Sequence, residues 1–187
     1  MNIIKQHIMN LNKKHRWLMV VVYVLITYLN LFLLPFIANI TEGKGIMSHS
    51  TTVIFVVFLL ALFGSFYFLF HIRQPRAYQL LAVIVILYLV CLQDMPDPIS
   101  RIHLVEYSIL MWLLFLALKT DFVGLKLYGL AISMLFIIGL VNEFLQLFLP
   151  QRVFDINDIF NNMLGGYLGA AVYWVLKRYH TLRPQTN

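Results

Sequence analysis

The stretch Asn142–Gly169, NEFLQLFLPQRVFDINDIFNNMLGGYLG, sets Asn142, Glu143, Gln146, Arg152, Asp155, Asp158 and Asn162 into surroundings otherwise apolar enough for a membrane interior. Ionisable groups near a bilayer core cost roughly 2.5–3.5 kcal/mol each on insertion scales, so several together require mutual partners or a task. The same stretch decides the number of crossings. Its second part, the sixth apolar run from about Ile156, starts polar and turns apolar only after Asn162, so a count of five spans stays open beside six.

The rest of the chain fixes the class. Its 187 residues are 61% hydrophobic and 12% charged, with a mean hydropathy of +0.81; a soluble domain carries about 25% charged residues. Apolar runs cover Trp17–Ala38, Thr51–Phe70, Arg76–Leu92, Arg101–Leu118, Phe122–Leu149 and about Ile156–Leu176. These match the roughly 17–25 residues that a spanning helix needs. The expected fold is therefore an all-α polytopic transmembrane bundle of about six spans, a single integral membrane domain over 1–187 with short loops punctuated by Gly and Pro. The fifth run is longer than a bilayer requires, so it tilts or lays Glu143–Leu149 at the interface. Four basic residues precede Trp17, but the apolar run that follows is too long for a signal peptide and lacks a small-residue cleavage site, so a retained first helix is expected.

Charge gives the orientation. Eleven of the 14 Lys and Arg fall on alternate segments: Lys5, Lys13, Lys14 and Arg16; Arg73 and Arg76; Lys119 and Lys126; Lys177, Arg178 and Arg183. The intervening segments hold only Lys44, Arg101 and Arg152. Under the positive-inside rule both termini are expected to be cytoplasmic. The net charge of +6 then reflects anchoring beside anionic headgroups and gives no support for nucleic-acid binding. One cysteine, Cys91, excludes an intramolecular disulfide or a multi-Cys metal site and reads as core packing.

In this topology three separately encoded polar groups reach one membrane depth, the outer face. His103 and Glu106 open span four, Asn142, Glu143 and Gln146 close span five, and Arg152–Asn162 lead into span six. Residues three, four and seven apart share a helix face. His103 and Glu106 make one stripe, Glu143 and Gln146 a second, and Asp155, Asp158 and Asn162 a third. Gly165, Gly166 and Gly169 prolong the last, with Gly165 and Gly169 in the small-xxx-small spacing that lets a neighbouring helix close in.

Each residue also has a plainer reading. Glu106 can pair with His103, Arg101 or Arg152 as a buried ion pair that only fixes register. Asp155 suits an N-cap and Asp158 the helix dipole. Asn142 can snorkel or bond a neighbouring helix, Tyr107 and Trp174 read as interfacial or packing aromatics, and Asn30 with Pro35 as a kink or a small packing contact. His71 beside Arg73 reads as a solvated loop. Ser108 lacks a Gly-x-Ser-x-Gly setting, which leaves a serine nucleophile unsupported. A bundle needing only register would place one or two polar contacts, whereas here the polar stripes and an Arg-bearing approach gather at one face.

In their order and spacing these residues resemble the VanZ-like family of bacterial membrane proteins, over roughly Asp94–Trp174. The resemblance rests on His103, Glu106 and Tyr107, then Glu143 and Gln146, then Pro150 and Arg152, then Asp155, Asp158, Asn162, Gly165 and Gly169. It implies a cell-envelope protein of the inner (cytoplasmic) membrane linked to resistance to glycopeptides such as teicoplanin. Chemically, His103, Glu106, Glu143 and Asp158 are candidates for acid/base work. Gln146, Arg152, Asp155 and Asn162 are candidates for ligand binding, with Arg152 able to grip a phosphate or carboxylate. No cofactor is expected and no metal is assigned, since no His-Glu-x-x-His motif or Cys pair is present. Two function classes stand: a resistance factor engaging a lipid-linked wall precursor or a glycopeptide among membrane lipids, and a membrane enzyme acting on a lipid or envelope intermediate. A transporter is less supported, because no inverted repeat with interrupted helices is evident.

Overall fold

The computed structural model describes residues 12–41, 46–95, 98–149 and 154–181. Six helices account for nearly all of them: α1 (Lys13–Thr41), α2 (Ile46–Gly64), α3 (Pro75–Gln93), α4 (Pro98–Leu118), α5 (Gly124–Gln146) and α6 (Ile156–Thr181). With no water in a hydrocarbon layer to satisfy N–H and C=O groups, a crossing segment must close its hydrogen bonds within itself, and these apolar runs do so as helices. The fifth apolar run stops being α-helical at Gln146, so the turns after it are not part of the rod.

Local chemistry sets the boundaries. A π-helical stretch, Ser65–Leu69, ends α2 and turns Phe66 fully inward. His71 then takes a left-handed backbone (φ 52°), and Pro75 starts α3, where its missing N–H costs nothing. The tight α4–α5 connection passes through Gly124 at φ 61°, a conformation that a β-carbon disfavours.

Burial divides the helices into two kinds. In α4, 72% of the apolar window is buried, against 17–22% in α1, α2, α3 and α5. Two apolar clusters pack on its sides. One joins it to α2, α3 and α6 through Phe66, Leu81, Tyr88, Leu104 and Val172. The other joins it to α1, α5 and α6 through Val20, Leu114, Phe115, Leu135 and Tyr173, with the Phe115 and Tyr173 rings stacked 4.3 Å apart. Large apolar side chains such as Leu25, Phe36, Leu60, Ile86 and Ile137 point outward, a surface suited to lipid and far beyond what a water-soluble monomer exposes.

Five helices are apolar enough on composition alone to cross a membrane, and α6 is not among them. Yet its 26 residues span about 39 Å at 1.5 Å per residue, more than a roughly 30 Å hydrocarbon core. It also exposes Phe160, Tyr167 and Trp174, each seven residues apart, as an apolar stripe. Its hydropathy is lowered by Asn162 and three glycines on its buried side, together with half-buried Asn161 and exposed Asn157. The chain is a multi-pass helical membrane protein.

The glycines act as expected, on two partners. A β-carbon on Gly165 would stand 2.5 Å from the Leu104 carbonyl oxygen, and one on Gly169 2.6 Å from that of Ser108, so both hold α6 against α4. Gly166 faces Leu135 of α5 instead. Ser108 completes this crossing: its hydroxyl lies 2.7 Å from both the Leu104 and Gly165 carbonyl oxygens and accepts a 2.6 Å hydrogen bond from Tyr88. That is a structural role. Cys91 is only partly buried, at the edge of the first cluster.

Basic segments share one end of the bundle. Lys13 of α1 pairs with Asp121 after α4 at 2.8 Å, Arg16 donates to the Leu116 carbonyl, and the Phe70 ring meets Trp112 and His180.

Candidate functional site

At the opposite end, the start of α4, the end of α5 and the start of α6 converge, and α1 joins them. His103 and Glu106 lie one turn apart on α4, both buried, with His103 Nδ1 3.2 Å from Glu106 Oε2. Glu106 Oε1 accepts a 2.5 Å hydrogen bond from Asn30 Nδ2 of α1, and Tyr23 of α1 donates to the Glu106 carbonyl. Arg101 does not pair with Glu106: its Nε donates to the Met95 carbonyl at 2.9 Å, which turns it back toward the α3–α4 connection.

The second stripe forms its own pair. Glu143 and Gln146 are fully buried on α5, and Gln146 Nε2 donates to Glu143 Oε1 at 2.7 Å. The other Glu143 oxygen accepts from the Asp155 backbone N–H at 3.4 Å, tying α5 to the start of α6. Asp155 is the N-cap of α6, its Oδ1 accepting from Asn157 N–H at 2.8 Å. Half-buried Asp158, in the first turn, accepts from Ser100 of α4 at 3.2 Å. The charges of Asp158 and Glu143 both reach His103, so the three elements share one electrostatic environment. Arg152 and Pro150 lie outside the described residues.

One turn deeper the polar groups change character. Asn162, one turn along α6 from Asp158, and Tyr107 both touch the position of Gly139 on α5, where a β-carbon would stand 3.4 Å from the Tyr107 ring and 3.7 Å from the Asn162 amide. Asn142 lies one turn further along α5. All three side chains are at most 1% exposed. Both amide atoms of Asn142, both of Asn162 and the Tyr107 hydroxyl have no hydrogen-bond partner among the described residues. Each such group costs about 1–3 kcal/mol when left unsatisfied in a protein interior.

This geometry decides between the alternatives for Asn142 and Tyr107: Asn142 does not snorkel, because α5 turns it into the bundle, and Tyr107 is a packing aromatic of the core and not an interfacial one. Asn30 has a contact that neither of its readings included, its hydrogen bond to Glu106. Asn30 and Ser100 are the residues that motif reasoning passed over. A lone amide within the apolar run of α1 was the available signal, since such groups seldom stay unpaired in a span. Among the described residues no three His, Cys, Asp or Glu side chains gather closely enough to hold a metal ion.

Asn30→Leu is expected to lower the melting temperature of the purified protein, by removing a hydrogen bond to a carboxylate worth about 1.5–3 kcal/mol. The effect should vanish in a Glu106→Leu background if the two act as a pair. An equal loss in both backgrounds would show that Asn30 acts elsewhere.

Together, the outward apolar faces and the acid–amide cluster at one end define a polytopic membrane protein with a buried polar cluster at one end of its bundle. Residues 100–177, from the start of α4 through α5 and most of α6, match the family model VanZ/LLP1, so this region of the chain is VanZ-like. No curated protein and no solved structure matches it. The matched region holds the polar groups that α4, α5 and α6 bring to the cluster, while Tyr23 and Asn30 of α1 lie outside it.

Proposed function

We propose that the chain is a cell-envelope protein of the cytoplasmic membrane whose polar site, at the outer face, engages the hydrophilic head of an amphiphilic envelope ligand. The ligand is a lipid-linked wall precursor or a lipoglycopeptide, and the outcome is altered access of a teicoplanin-type antibiotic to its target. The observation that carries this reading is the set of unpartnered buried polar atoms on Tyr107, Asn142 and Asn162 beside the His103–Glu106 and Glu143–Gln146 pairs. Those atoms offer donors and acceptors in a place where a bundle needing only register would have apolar packing. Charge bias supports the outward placement, since the basic segments gather at the other end. Arg152, on the approach to α6 in sequence, would supply the charge that grips a phosphate or carboxylate.

A second reading is favoured by the His103–Glu106 pair. A carboxylate at Nδ1 orients an imidazole and leaves Nε2 for proton transfer, so the same site could act as a membrane enzyme on a lipid or envelope intermediate. Purified protein and labelled lipid-linked precursor separate the two. Binding without product, abolished by Asn142→Leu together with Asn162→Leu at unchanged folding, supports the binding reading; turnover that stops in His103→Gln while binding persists supports the enzyme. Arg152→Ala is expected to weaken binding at least about tenfold with normal amounts of folded protein, the loss expected for one charge-assisted contact. Wild-type binding in that variant would remove Arg152 from the site.

A further inference from the structure

The basic end contains a second feature, separate from the polar site. An apolar groove of about 260 Å³ runs between α1, the end of α2, α4 and α6, lined by Met19, Phe70, Trp112, Leu116, Tyr173 and Leu176, with Lys119 as its charged lining residue. Lys119 is half-buried where the α4 helix ends. Its neighbours explain its environment. The nearby carboxylate, Asp121, is taken by Lys13, and Lys119 pairs with no carboxylate among the described residues. Burial, and secondarily the charge of Arg16, press its ammonium below the usual lysine range. Arg16 itself reaches the Leu116 carbonyl, on the groove wall.

We infer that this groove binds an acidic glycerophospholipid, one acyl chain lying along the apolar walls and the phosphate held by Lys119 with Arg16. Charge complementarity selects this occupant. A half-buried cation pressed by a second cation gains most from an anion, and in a bilayer the anion continuous with an apolar chain is a lipid phosphate. A zwitterionic lipid could fill the walls equally well but brings its own cation to the mouth. A helix from another membrane protein would fill the walls without supplying the anion.

The test is native mass spectrometry of the full chain released from nanodiscs of equal parts phosphatidylglycerol and phosphatidylcholine. The wild type is expected to retain phosphatidylglycerol in preference. Lys119→Ala should cut that preference about fivefold, near the contribution of one basic residue at a membrane surface, and Lys119→Arg should keep it. Met19→Trp, which fills the groove, should reduce retention of both lipids. Equal retention of the two lipids by the wild type would overturn the inference, as would an unchanged preference in Lys119→Ala. Loss of preference in Lys119→Arg as well as Lys119→Ala, with a lowered melting temperature in both, would mark Lys119 as structural and also overturn it.

Discussion

Gly165→Ala combined with Gly169→Ala is expected to leave little folded protein. Each new methyl would meet backbone oxygen, Leu104 at 2.5 Å and Ser108 at 2.6 Å, and backbone in the most buried helix cannot swing aside as a side chain can. The helices must separate, which opens the Ser108 contact to the Gly165 carbonyl and the packing of Leu104 and Val172 on both sides. Overpacking costs typically about 1–3 kcal/mol per site, and two sites on one crossing, about 2–6 kcal/mol together, match the lower end of the roughly 5–15 kcal/mol that stabilises an ordinary domain. Folded yield and melting temperature in detergent provide the measurement, with Gly129→Ala as the control, since a β-carbon there meets nothing within 4 Å. A double variant that melts like the wild type would mean that α4 and α6 do not cross so closely.

The second large effect is at Glu106. Its carboxylate is the one group bonded both to His103 and to Asn30, so Glu106→Ala leaves a buried imidazole and a half-buried amide without their partner. Breaking a buried pair by removing one member costs about 3–5 kcal/mol, and Glu106→Ala should therefore be strongly destabilised. Glu106→Gln keeps the shape and an oxygen for Asn30 but removes the charge. It is expected to fold in near-normal amounts and to lose function, read as drug susceptibility in cells expressing the variant or as binding of labelled precursor by the purified protein. Full function in Glu106→Gln would show that the charge is dispensable and that the pair serves register alone.

How the polar residues share the work followed from the chain only in part. The three stripes were readable because i, i+3 and i+7 spacing is fixed by helix geometry, whatever the helix packs against. The pairing of Glu143 with Gln146 and the capping by Asp155 are of this local kind, as is the one-turn contact of His103 with Glu106. Partners drawn from other helices were not readable. Glu106 could have met Arg101 at five residues' distance, but it faces α1 and meets Asn30, while Arg101 turns to Met95.

The sequence by itself determined the membrane class, the boundaries of the apolar segments, the concentration of cations on alternate loops and the membership of each polar stripe, since composition and helical period are properties of the chain alone. Tertiary structure decided that α4 is the buried axis, that Tyr107 and Asn142 turn inward and that α1 contributes to the acid pair. Those outcomes depend on how each helix is rotated about its axis, and the rotation is set by close crossings at Gly165, Gly166 and Gly169, where two segments far apart in sequence exclude each other's side chains.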